Sequence, residues 1–116
     1  MNDELILPEG PKIQDYQAYI AKMVKVRGFD KNTIAEEMLL FAEEFGELAK
    51  VVRKSSGMHM DANSVHSNAE DELADVFNYL LNIANLLDVD LEVAFRKKEE
   101  KNKAILLHIK GDLLGW

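Results

Sequence analysis

The stretch TIAEEMLLFAEEFGELAKVVRK, residues 33–54, reads as one long amphipathic helix. Ile34, Met38, Phe41, Phe45, Leu48 and Val52 recur at alternating steps of four and three, which predicts a single buried stripe. Thr33 stands three residues before Glu36, a capping-box start in which a hydroxyl and a carboxylate satisfy the free amides of the first turn. Lys50, Arg53 and Lys54 complement the dipole at the other end, near Lys54, where this helix 2 is expected to stop. Glu44 and Glu47 each precede a stripe residue by one position, so they are expected on the border of the buried face.

The same design repeats downstream. Ser67-Asn68-Ala69-Glu70 offers a second capping box, and helix 3 is expected to run to about Leu87 with Leu73, Phe77 (or Val76), Leu80, Ala84 and Leu87 as its stripe. Glu72 and Asp75 precede that stripe by one or two positions, and Tyr79 continues their edge one turn on. Upstream, Ile13, Tyr16, Tyr19 or Ile20, Met23, and Val24 or Val26 predict helix 1 from Lys12 to about Arg27, ended by Gly28. Asp88-Val89-Asp90 is a short turn with Asp90 as N-cap. Helix 4 then runs from Leu91 to about Ile109, with Leu91, Ala94, Phe95, Ala104 or Ile105, and Leu107 or His108 inward. Residues 96–103 hold no large apolar side chain, so part of helix 4 faces solvent or a polar site. Gly111 is expected to close helix 4, and the remainder is an irregular lead-in (1–11, with Pro8, Gly10 and Pro11), a polar loop (55–67, in which His59 and His66 read as plain loop residues) and a short apolar tail (111–116) that ends in Trp116. The expected architecture is a single all-α domain over 1–116, an antiparallel bundle of about four helices.

Bulk composition narrows the function classes. With no cysteine, disulfides, thiolate metal sites and cysteine nucleophiles are excluded together. A net charge of −7 argues against a polynucleotide binder but not against a single nucleotide, whose charge a metal can neutralise locally. No apolar run approaches the ~20 residues of a membrane span, and no basic region precedes the first apolar residues, so a cytoplasmic protein that does not engage a membrane is expected.

The chemistry resides in the acids. Glu44 and Glu47, and Glu72 and Asp75, are each three residues apart, which leaves the two side chains about 60° apart on one helix face. Four carboxylates brought to one point are costly unless a hard cation sits between them, and Mg²⁺, an oxygen-seeking ion that keeps waters for a phosphate-bearing substrate, is the natural candidate. The bland alternative is solvated surface charge. A di-iron carboxylate bundle is excluded because none of His59, His66 or His108 follows a glutamate by three residues. An EF-hand over Asp88, Asp90, Glu92 and Glu99 is excluded by Val93 where glycine is required.

Glu43-Glu44-Phe45-Gly46-Glu47-Leu48-Ala49, then Glu72-Leu73-Ala74-Asp75-Val76-Phe77-Asn78-Tyr79-Leu80, then Asp90-Leu91 and Lys98-x-x-x-Asn102, resembles the MazG-like all-α nucleoside triphosphate pyrophosphohydrolases over roughly residues 12–105. The resemblance implies an enzyme cleaving (d)NTP to (d)NMP and pyrophosphate, possessing a house-cleaning role. It implies Glu44, Glu47, Glu72 and Asp75 as ligands of Mg²⁺, with Mn²⁺ able to substitute. Glu43 or Glu47 becomes the acceptor of a proton from the attacking water, Lys98 and Asn102 contact substrate phosphates, and Tyr79 lies near the nucleotide. It implies a homodimer or homotetramer with sites near subunit interfaces. Residues 55–67 lack the Lys, Arg or Trp that some relatives place near this loop, which leaves base preference open. Two rival readings are a non-catalytic acidic helical oligomer serving as an interaction module and a phosphoribosyl-ATP pyrophosphohydrolase-like enzyme.

Overall fold

The computed structural model describes residues 5–57 and 68–114, with side chains placed through residue 111. His59, His66, Ser67 and Trp116 therefore fall outside the described residues. Four helices make the fold, α1 (Ile13–Val26), α2 (Ile34–Ser55), α3 (Ala69–Leu86) and α4 (Leu91–Leu114), and no strand occurs among the described residues. The chain is all-α, as its periodicity predicts.

Local chemistry sets the helix ends. The Lys12 amide donates to Asp15 Oδ2 at 2.8 Å at the start of α1. Thr33 and Glu36 close the expected capping box, each side chain bonded to the other's backbone amide. For α3 the cap is Asn68, whose Oδ1 accepts from the Asp71 amide at 2.8 Å, so capping is set one residue later than the Ser67 box predicts. Past α1, Gly28 takes a positive φ of 77°, and the Phe29 amide reaches back to the Val24 carbonyl at 2.7 Å. The same closure ends α3, with Asp88 in the left-handed position at φ 56° and the Val89 amide on the Ala84 carbonyl. Gly111 does not end the last helix, which runs on to Leu114.

Helix α3 is the centre of the molecule, with α1 packed along one side of it and α2 along another. Leu81, only 1% exposed, meets Ile20 and Met23 of α1, and Tyr16 and Phe77 add an edge-to-face pair with ring centres 5.4 Å apart. Because α3 has neighbours on two sides, Leu81, Asn82, Ile83 and Ala84 are buried in succession, while the expected stripe members Leu73, Leu80 and Leu87 stand exposed.

The buried face of α2 is also rotated from its expected position. Glu37, Leu40, Phe41, Glu44, Leu48 and Val51 are wholly or half buried. Met38, Phe45 (62% exposed) and Val52, predicted to be buried, face away from the bundle. The helix has two apolar bands, and the described residues cover one of them. Helix α4 packs to any extent only on α1, through its first turn, where Leu91 joins the core. Phe95, expected inside, is 70% exposed, and Ile105, Leu106, Leu107 and Ile109 are exposed beyond it. The radius of gyration of 18.7 Å reflects this projecting arm, since a compact chain of this length has about 13 Å. No helix among the described residues is long and apolar enough to cross a membrane.

Gln17 fixes the departure of α4. Its side chain donates to Val89 O at 2.8 Å and Asn85 Oδ1 at 3.1 Å and accepts from the Leu91 amide at 3.0 Å, while Asn85 Nδ2 donates to the Gln17 carbonyl at 2.8 Å. Gln17 is itself buried. Gln17→Leu keeps its bulk but strands the Val89 carbonyl and the Leu91 amide, so it should destabilise the fold by roughly 2–4 kcal/mol. Urea titration followed by circular dichroism is the measurement, and an unchanged midpoint would refute the role.

Candidate active site

The α2–α3 seam gathers carboxylates from both helices. Glu44, Glu72 and Asp75 each present an oxygen, all within 4.8 Å of one another. Helical spacing explains this: Glu44 lies on the α2 face that packs against α3, and Glu72 and Asp75 are one turn apart on α3. Glu72 is 7% exposed, and its Oε2 is buried with no hydrogen-bond partner. A buried carboxylate oxygen without a donor is expensive. Three convergent hard-oxygen donors, with an orphaned oxygen on one of the three residues, fit a divalent cation.

The electrostatics agree in sign. The Glu44 carboxyl is pushed above its ordinary 4.5 by burial first, then by the charges of Asp75, Glu72 and Glu47. Asp75 is pushed above its ordinary 3.8 by burial, then by Glu72 and Asp71. The Tyr79 phenol is likewise raised by burial and by the surrounding acids, Glu37 first among them.

The other expected site residues take varied positions. Glu47 is half buried next to this cluster's helix face, 3.6 Å from Lys50 Nζ, and lies outside the three-carboxylate group. Glu43 is exposed on α2. Tyr79 stacks on Phe41 with ring centres 6.4 Å apart and planes 10° from parallel. Lys98 and Asn102 sit exposed on α4, which does not pack to any extent on α2 or α3, so one chain does not bring them to its own carboxylates.

Beside the cluster lies a cavity of about 350 Å³ that shares Asp75 and Tyr79 with it. Its floor holds two groups the sequence reading passed over, Glu37 and Asn82, 3% and 8% exposed. Asn32 Nδ2 donates to Glu37 Oε1 at 2.9 Å. Spacing could have found both: Glu37 is seven residues before Glu44 and Asn82 seven after Asp75, two turns along the same faces.

A family model described as the MazG nucleotide pyrophosphohydrolase domain matches residues 26–105, a span that holds all of these carboxylates together with Lys98 and Asn102. The chain belongs to this family. No match is found among curated proteins. MazG membership sets the chemical class, hydrolysis at nucleotide pyrophosphate bonds, and an acidic cluster able to bind a divalent metal agrees with it.

The raised carboxyls give a pH signature. Groups with folded-state pKa values above their unfolded ones add stability below pH 4.5 and 3.8, and that contribution is lost as pH rises through the higher folded values. In a chelator, Glu44→Gln should therefore melt higher than the unmutated chain at pH 7 and show little difference at pH 4. Added divalent metal should raise the melting temperature of the unmutated chain more than that of the variant. Thermal scans across pH, with and without metal, decide it.

Proposed function

We propose that this MazG protein hydrolyses nucleoside triphosphates, ribo- or deoxyribo-, to the monophosphate and pyrophosphate, in a house-cleaning role. The observation that carries the reading is the convergence of Glu44, Glu72 and Asp75 within 4.8 Å, with an orphaned buried oxygen on Glu72, beside a cavity of about 350 Å³. Glu44, Glu72 and Asp75, with Glu47 from the adjoining turn, would hold Mg²⁺, with Mn²⁺ able to replace it. When bound, such an ion supplies a Lewis acid that neutralises charge developing on phosphate oxygens.

The chain's own groups supply the rest. In the overall reaction a water oxygen bonds to phosphorus, the bridging P–O bond breaks, pyrophosphate leaves, and the water's proton is taken up by a carboxylate. Glu43, exposed beside Glu44, and Glu47 are the candidate acceptors. Tyr79 borders both cluster and cavity and would orient the nucleoside. Lys98, a point charge, and Asn102, an amide donor one turn away, would hold phosphate oxygens.

The working unit in this reading is a homodimer or homotetramer. Two features support it: the uncovered apolar bands on α2 and α4, and the complementarity of Arg96, Lys97, Lys98, Lys101 and Lys103 on α4 to the acidic α2–α3 seam. Helix α4 of one copy would lie over the seam of another. A cytoplasmic setting accords with the reading.

Pyrophosphate release from a panel of NTPs and dNTPs with Mg²⁺ tests the reaction. Glu47→Ala and Asp75→Ala should each fall below about 1% of the unmutated rate while keeping their circular dichroism, because several kcal/mol of transition-state stabilisation is removed. No release from any nucleotide with either metal would overturn the reading. Subunit sharing has its own test. Lys98→Ala and Asp75→Ala, each inactive alone, should recover about a quarter of the unmutated activity when co-refolded, since half the dimers are mixed and one of their two sites is intact.

A further inference from the structure

We infer that the cavity beside the carboxylate cluster receives the nucleobase, and that Glu37 and Asn82 at its floor favour a base carrying an exocyclic amine (adenine, cytosine or guanine) over uracil and thymine. The inference rests on the pyrophosphohydrolase reading and extends it to substrate choice.

Both side chains line the cavity with hydrogen-bonding capacity to spare. Glu37 is 3% exposed, and its carboxylate accepts a single hydrogen bond among the described residues, from Asn32 Nδ2 to Oε1. Asn82 is 8% exposed, and its amide makes no hydrogen bond among the described residues. Neither holds a buried polar atom without a partner, so the unused capacity is open to the cavity, where a ligand can take it up. The walls suit a planar ring. Met23, Val24 and Leu40 are apolar, and Phe29, in the α1–α2 connection, is an exposed aromatic at the rim on which a base can stack. The volume of about 350 Å³ is that of a small-ligand site.

The register along α3 orders the ligand. Asp75 at the cluster and Asn82 at the cavity floor are seven residues apart on one face, about 10 Å of helix. A sugar bridges that interval, with phosphates at the carboxylate end and the base at the other. The chemistry at the floor then selects. A carboxylate oxygen accepts and cannot donate to a carbonyl, whereas the amide of Asn82 has both a donating NH₂ and an accepting oxygen. An amine of adenine, cytosine or guanine donates to Glu37 while the neighbouring ring nitrogen or carbonyl meets Asn82. Uracil and thymine present a carbonyl where cytosine has its amine, and that carbonyl against Glu37 leaves two acceptors opposed.

The test is kcat/KM for ATP, GTP, CTP, UTP and dTTP with Mg²⁺, in the unmutated protein, Glu37→Gln and Asn82→Ala. The unmutated protein should prefer amine-bearing bases by about 10- to 100-fold. Glu37→Gln, nearly isosteric and able to donate, should narrow the preference to within a few-fold by gaining on UTP and dTTP. Asn82→Ala should raise KM for the amine-bearing bases, change kcat less, and leave UTP nearly unaffected. Melting curves on both variants separate a lost preference from a lost fold. Equal or better use of UTP and dTTP by the unmutated protein, or an unaltered ranking in a folded Glu37→Gln, would overturn the base-reading role while leaving the pyrophosphohydrolase reading intact. Absence of turnover on every nucleotide would overturn the parent reading, and this one with it.

Discussion

Mutual repulsion among carboxylates is the constraint around which this small domain is arranged. Glu44, Glu72 and Asp75 are drawn within 4.8 Å of one another in a helix–helix seam. Burial and like charge push two of the three toward their neutral forms. An apolar seam would hold α2 and α3 together better. The acids instead leave apolar contact across the seam to neighbouring groups such as the stacked Phe41 and Tyr79, and they leave a local deficit that a divalent cation would relieve. Strain of this kind at one point of an otherwise ordinary bundle is characteristic of a site shaped by chemistry.

The second organising element is the position of α3. Flanked by α1 and α2, it carries Leu81 into the core, Glu72 and Asp75 into the seam, and Asn82 into the cavity between the three helices. Gln17 then ties the end of α3 to the start of α4 through side-chain bonds to Asn85, Val89 and Leu91. That clamp, together with Asp88 in the left-handed position, aims α4 away from the seam of its own chain. The position of Lys98 and Asn102 thus follows from a glutamine eighty-odd positions upstream of them.

Much of this was legible in the residues. Periodicity gave the helix class and approximate ends, Thr33 and Asp90 their caps, and Gly28 its turn, because each depends on chemistry within a few positions. Which face of a helix is covered was harder. Met38, Phe45 and Val52 read as interior because they are apolar and well spaced, yet nothing among the described residues covers them. Leu73 and Leu80 mislead in the same way, and α3 buries Asn82 instead because it has two neighbours. Gly111 reads as a stop, but a glycine weakens a helix without ending it unless the backbone turns there. The carboxylate pairs stood out by spacing. Glu37 did not, since an acid in the first turn of a helix is ordinarily explained by the dipole.

The bare apolar residues of α4 bear on how the protein behaves as a population. Phe95 and the run from Ile105 to Ile109 would be wet in an isolated chain. If association covers them, folding and assembly become one mass-action equilibrium, and thermal stability rises with concentration instead of being fixed for the chain. A freshly synthesised copy would wait for its partner with that surface showing, prone to sticking elsewhere in the interval. The quantity of active protein would then climb more steeply than its rate of synthesis, giving this minimal domain a threshold in dosage.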